Sequence, residues 1–382
     1  MARLQTLLKR LLRGIIVLTG AAAATGAGFP PPATVTLPQT RARMVTVEAA
    51  DSVVAFAANP VRIRQMVEAG LTNLARVDTI EAAWRRWIQP ADVVGIKVVS
   101  VPGPLSGTRP AVVEALAASL IAVGQPATNI IVWDKHLANL RRAGFTELTN
   151  RLGIRVEGAV EAGYDAAAFY DNAIPGQLVW GDLEYQPGGE SMGRRSHVTR
   201  LLTQTITRGI NVTPLLNHNR VGVSGNLFSL AFGSVDNTQR FANEPERLAV
   251  AVPEIYALPD VGDRFVLSVV DALIAQYYGE EDSLLHYAAM LGQLRFSTDP
   301  VALDVLSIQE LARQRELAGR PPQKVDPGPC NNAALLELGT SNPAWIQVEK
   351  VVLPGRTGPV EPPGPEPAPI TPAAPPAPAG SP

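Results

Sequence analysis

The sequence predicts an α/β fold: a mostly parallel central sheet flanked by helices, broken by one irregular glycine-rich excursion. Three observations predict it. The runs VVGIKVV (93–99) and RFVLSVV (264–270) are continuous and rich in β-branched residues, as in strands buried on both faces. Stretches with apolar residues at helical spacing, PVRIRQMVEAGLTNLA (60–75) foremost, alternate with such runs. Strand, helix and strand also follow one another between residues 93 and 133, which implies parallel pairing through a right-handed crossover. With 382 residues, 46% hydrophobic and 18% charged, the chain has material for one large core.

Each element follows from local pattern. A weaker helical period covers 80–88, before the strand at 93–99. The loop SVPGPLSGTRP leads to a helix over 111–123, with Thr108 suited to cap it, Pro110 suited to its first turn and Gly124 to end it. NIIVW (129–133) is the next strand, 137–152 a helix and 154–156 a short strand. Residues 158–195 are glycine-rich and read as the excursion. Beyond it the pattern predicts a helix over 201–206, a strand over 209–212, a helix over 244–257, the strand at 264–270 and helices over 300–317 and 332–338.

The ends read differently. Basic residues Arg3, Lys9, Arg10 and Arg13 precede the apolar, alanine-rich GIIVLTGAAAATGAG, the pattern of a secretory signal peptide over residues 1–28. An uncleaved anchor is the alternative, and would be the chain's only membrane contact. A linker (29–44), one α/β domain (45–352) and a disordered proline-rich tail (353–382) complete the organisation. The expected location is the periplasm or the extracellular space. A net charge of -2 and 5% aromatic residues speak against nucleic acid as a partner. A single cysteine, Cys330, excludes an internal disulfide, a four-cysteine iron–sulfur cluster and a structural zinc knuckle.

In open α/β sheets ligands sit beyond the carboxyl ends of the strands. Three charged residues occupy such places: Lys97 inside an apolar strand, Asp134 directly after NIIVW, and Asp271 directly after RFVLSVV. A charge buried there needs a partner or a cleft. His218, in PLLNHNRVGVSGN, lies among asparagines and glycines that let backbone approach a ligand. The other histidines, His136, His197 and His286, are scattered. Gly189-Glu190-Ser191-Met192-Gly193 matches GxSxG by letters but has no buried strand before it, as a nucleophile elbow requires. Asp299 and Asp304 read as helix-capping and dipole-compensating acids, and Arg141-Arg142 and Arg194-Arg195 as solvated charges.

The segments DVVGIKV, GTRPAVVEAL, NIIVWDK, INVTPLLNHNRVGVSGNLFSLAFGSVDN and STDPVALDVL, in this order and spacing, resemble the bacterial domain of unknown function 362 family over most of residues 45–352. The resemblance implies an α/β domain, often exported, without an established reaction. Lys97, Asp134, His218 and Asp271 match the family pattern. The ferredoxin-like cysteine motifs of some relatives are missing, so no iron–sulfur cluster is expected. Val99 stands where the family has asparagine, Leu216-Asn217 where it has Lys-Asp, and Phe228-Ser229 where it has Lys-Asn.

Two expectations follow. In the first, an envelope enzyme uses Lys97 to hold an anion or polarise a carbonyl, Asp134 and Asp271 as metal ligands or bases, and His218 as a ligand or proton shuttle. In the second, the domain is a non-catalytic module for a small ligand, with a degenerate ancestral site. The first requires all four side chains on one face of the sheet.

Overall fold

The computed structural model describes residues 41–355 except Glu190, Glu280 and Glu281. The segment read as a signal peptide, most of the linker and nearly all of the proline-rich tail lie outside the described residues.

Thirteen strands are described: β1 (Ala42–Glu48), β2 (Val53–Val54), β3 (Ala57–Ala58), β4 (Val94–Val98), β5 (Ile130–Asp134), β6 (Arg155–Gly158), β7 (Tyr164–Gln177), β8 (Met192–Thr199), β9 (Arg208–His218), β10 (Gly222–Val223), β11 (Phe265–Gln276), β12 (Ala288–Ser297) and β13 (Ile346–Val352). Nine of them form one sheet in the order β13-β1-β12-β11-β9-β4-β5-β6, with β10 paired to β9. Only β12 among the main strands runs antiparallel to its neighbours, so the sheet is mostly parallel. Lys97 in β4 lies opposite Trp133 on one side and Asn211 on the other.

Helices cover both faces. α1 (Pro60–Ala75) starts where the Asn59 side chain accepts from the Arg62 N–H and Pro60 opens the first turn. Beyond α2 (Ile80–Arg85) comes α3 (Pro110–Ala122), which packs with α1 over Ile96, Val98, Val132, Val212 and Val269. On the opposite face, α7 (Asn226–Ser234) and α9 (Pro245–Tyr256) place Leu227, Leu230, Leu248 and Ile255 against Ile131, Trp133 and Ile206. α10 (Pro300–Leu317) covers Val270 and Ala272 of β11 with Leu303 and Leu311. α4 (Leu137–Arg142), α5 (Glu147–Leu152), α6 (Ala159–Ala162), α8 (Gln239–Ala242) and α11 (Gly328–Leu335) are short. No helix among the described residues is long and apolar enough to cross a membrane.

The α/β class stands, and several local readings are corrected. The helix over 137–152 is two, broken where Gly144 takes a φ of 85°. The excursion contains a long antiparallel hairpin, β7–β8, in which β7 alternates more buried and exposed residues only from Tyr170 to Gln177. Residues 201–205 form a single π-helical turn. Thr108 does not cap α3; its hydroxyl accepts from the Val99 N–H and donates to the Val212 carbonyl, tying β4 to β9. Asp299 does cap α10, accepting from the Ala302 N–H at 2.8 Å. Asp304 instead caps α7, accepting from the backbone N–H groups of Asn226 and Leu227 and from the Asn226 amide.

Candidate functional site

Because β4, β5 and β9 are parallel, their carboxyl ends open on one edge of the sheet, and a cleft of about 670 Å³ lies there. Lys97, Asp134 and Lys135 line it from β4 and β5, and Leu216 and His218 from β9. α7 adds Phe228, Ser229, Phe232 and Gly233, and the excursion adds Tyr164, Val179, Trp180 and Asp182.

Lys97 is 1% exposed. Its Nζ donates to Asp134 Oδ1 at 2.8 Å and to the Val98 carbonyl at 2.6 Å. Gly233 makes room for it: a Cβ at that position would collide with Lys97 Cε. Asp134 is held from several sides, with Ser100 N at 2.9 Å and Ser100 Oγ at 2.6 Å on Oδ2, and Lys135 N at 2.8 Å on Oδ1. Burial alone would raise the Asp134 carboxyl, but the Lys97 ammonium and the Lys97 and Ser100 hydrogen bonds hold it below the ordinary value. With both oxygens so engaged, Asp134 is a counter-ion to Lys97, and the metal-ligand role read for it has no support in its contacts.

Lys135 is the residue that the sequence reading passed over. It is partly buried, and its Nζ donates to Thr238 Oγ1 at 3.0 Å. Among the described residues its ammonium makes no ion pair. Burial pushes its pKa down, Asp182, Asp236 and Asp134 push back, and Lys97 adds repulsion; the result is about 8. Asp182 accepts from the Val179 and Asn237 N–H groups at 2.7 and 2.8 Å. Asp236 accepts from the His197 and Leu183 N–H groups and lies 3.2 Å from His197 Nδ1.

Two hydroxyls in the cleft, Tyr164 OH and Ser229 Oγ, are buried without a hydrogen-bond partner among the described residues. Buried polar groups are rarely left so. Burial, Asp236, Asp182 and Glu161 push the Tyr164 phenol up, so it stays protonated and able to donate. His218 Nδ1 accepts from the Arg220 and Val221 N–H groups, each at 3.3 Å, which assigns the ring proton to Nε2. The ring lies 4.3 Å from Phe228, which stacks on Phe232 at 4.2 Å. One wall is therefore apolar, and the exposed Trp180 stands at the rim.

The structure brings together Lys97, Asp134 and His218 but not Asp271. Side chains alternate along a strand. Asp271 shares the parity of Val269, on the α1–α3 face, whereas Lys97 projects toward α7. Asp271 is fully buried, and it pairs with Arg109 through Arg109 NH1 at 2.8 Å and the Arg109 backbone N–H at 2.9 Å. It fixes the loop before α3, and the four-residue site does not assemble.

His197 is buried against Asp236, His136 is exposed at the cleft, and His286 lies in a 3₁₀ turn before β12. Ser191 is exposed and precedes β8 with no helix after it, so the GxSxG letters form no elbow. Among the described residues no group of three or more His, Cys, Asp or Glu side chains is placed to hold a metal ion. The signal for Lys135 was present, since it directly follows Asp134 past the end of a strand. Tyr164 and Asp182 carried none, because only the tertiary fold brings the excursion over the strand ends; Ser229 stood out only as a departure from the Lys-Asn of the resembled family.

No protein-family model matches this chain, and no curated protein matches it. Among solved structures, it is similar to a protein from Thermotoga maritima at 10% sequence identity and a TM-score of 0.36. The match covers 73% of this chain and 59% of that protein, so the chain spans less than two-thirds of its length.

Proposed function

We propose that the cleft binds a small organic anion. The observation that carries this is the set of donors lining it: the Lys135 ammonium, bonded only to the Thr238 hydroxyl and to no carboxylate among the described residues, and the Tyr164 and Ser229 hydroxyls, which have no partner among the described residues. Asp134 is neutralised by Lys97, whereas Asp182 and Asp236 keep their charge and are offset by Lys135. An anion with carboxylate or phosphate oxygens would accept from these donors, while its apolar part would meet Phe228, Phe232 and Val160. A second reading, a binding module without catalysis, is favoured by Leu216 and Phe228, apolar residues lining the cleft. The two differ in whether the bound molecule is recovered unchanged.

Membership of the domain of unknown function 362 family is part of the proposal. It rests on the ordered segments quoted above, three of which (β4, β5 and β9 through α7) line the cleft. Export is proposed from the basic and then apolar N-terminus, and N-terminal sequencing of the mature protein tests it.

The binding proposal is tested by calorimetric titration of the full chain with acetate, malonate, pyruvate and inorganic phosphate. At least one should bind saturably, more tightly at pH 7 than at pH 9, where Lys135 loses its charge. Lys135→Met should weaken it about 10- to 100-fold, the loss of one charge-assisted hydrogen bond. Absence of binding by all four, or binding indifferent to Lys135→Met, overturns the proposal.

A further inference from the structure

Two lysines stand on either side of Asp134, and they are not equivalent. Lys97 is fully buried and locked in an ion pair. Lys135 reaches the cleft with one hydrogen bond, to a neutral hydroxyl, and with no carboxylate in ion-pair contact among the described residues. The carboxylates around it are already engaged: Asp134 by Lys97 and Ser100, Asp182 by Val179 and Asn237, Asp236 by His197 and Leu183. An amine that is partly desolvated and lies near a second cation is the arrangement that exposes a lysine nucleophile near neutral pH. Tyr164, buried, protonated and without a partner, lines the same cleft and lies in the field of the same two acids, Asp182 and Asp236.

We propose that Lys135 forms an imine with the carbonyl carbon of a small oxo acid bound in the cleft. This rests on the anion-binding reading above and deepens it: the carboxylate of the ligand is the anion, and its carbonyl is the reacting group. The neutral Nζ lone pair attacks the carbonyl carbon, a C–N bond forms, and the C=O π electrons move to oxygen. That oxygen takes a proton from the Tyr164 hydroxyl, and the nitrogen gives one back to the phenolate. The carbinolamine hydroxyl then leaves as water with a proton from solvent, as the nitrogen lone pair closes the C=N bond. One amine, one carbonyl and one proton become one protonated imine and one water, with no oxidant or reductant. Support for the reading at neutral pH comes from the lowered basicity of Lys135, which leaves an appreciable neutral fraction.

The test treats the full chain with pyruvate and sodium borohydride at pH 8, followed by intact-mass measurement and peptide mapping. The expected result is one reduced pyruvate adduct per chain, on Lys135, saturating with pyruvate concentration. The same map reads Lys324 and Lys350 as controls for random amine chemistry. Lys135→Arg, which keeps the charge, should keep pyruvate binding and lose the adduct. Because the map on the unaltered chain decides the site, the test survives a variant that fails to fold. No adduct, or one spread evenly over Lys324 and Lys350, overturns imine formation. If pyruvate still binds and Lys135→Met still weakens it, the anion-binding reading stands without the covalent step. If pyruvate, acetate, malonate and phosphate all fail to bind, both fall.

Discussion

Removing either partner of the Lys97–Asp134 pair should have unequal cost. Lys97 is 1% exposed, and without Asp134 its ammonium keeps one acceptor, the Val98 carbonyl. A buried charge stripped of its partner costs about 3–5 kcal/mol, so Asp134→Ala should lose that much. Lys97→Met is milder. The thioether fills the slot between Gly233 and Trp133, and Asp134 keeps Ser100 N, Ser100 Oγ and Lys135 N as donors at the partly open end of the pair. About 1–2 kcal/mol is expected there. The double variant Lys97→Met/Asp134→Ala removes both charges together and should cost at most about 1 kcal/mol more than Lys97→Met, giving a coupling of about 2–5 kcal/mol. The folded Asp134 carboxyl is held below its ordinary 3.8, so the contribution of the pair is complete above that pH and is lost as pH falls through the lower folded value. Urea unfolding of the four proteins at pH 7 and pH 2 measures all of this. An Asp134→Ala cost no larger than that of Lys97→Met would show that Lys97 does not depend on Asp134.

Three further outcomes are expected. Asp271→Ala should cost about 3–5 kcal/mol by leaving Arg109 unpaired, yet anion affinity in the folded fraction should be unchanged; a selective loss of affinity would return Asp271 to the site. Asp304→Ala removes the acceptor for three donors at the start of α7 and should cost about 1–3 kcal/mol in urea unfolding, with weaker anion binding because α7 carries Ser229; a variant as stable as the parent would contradict the cap. Lys135 titrates near 8 in the fold against an ordinary 10.5, so the native state holds fewer protons between those values and its burden on stability is full below pH 8. Stability of Lys135→Met relative to the parent should therefore be greatest near pH 7 and decline toward pH 10, and a pH-independent difference would show that Lys135 is not perturbed.

The fold was legible wherever one physical signal dominated. β4 and β5 are continuous apolar runs, and α1 and α10 have capping residues and proline at their first turns, so their limits could be read closely. β7 could not, because its inward positions beyond Tyr170 are only half-buried and include Asn172 and Gly176, so no apolar alternation marks them. The site was half legible. Strand-end position pointed to Lys97 and Asp134, and the same rule failed for Asp271 twice over: β11 runs on to Gln276, so Asp271 lies inside the strand, and its side chain takes the other face. The parity of Asp271 with Val269 against that of Lys97 with Gly95 decides it, and that comparison needs the register of β11 against β9 and of β9 against β4. Asp304 shows the same limit: its helix was read correctly, but the carboxylate serves a different helix.

What is proposed for the cleft turns on the lowered basicity of Lys135. Nuclear magnetic resonance of lysine labelled at Cε, titrated from pH 6 to pH 11 with and without pyruvate, measures it directly, with assignment by Lys135→Arg. Lys135 should titrate near pH 8 alone, and pyruvate should move its resonance while leaving those of Lys324 and Lys350 in place. A Lys135 midpoint near the ordinary 10.5, unaffected by pyruvate, would contradict it.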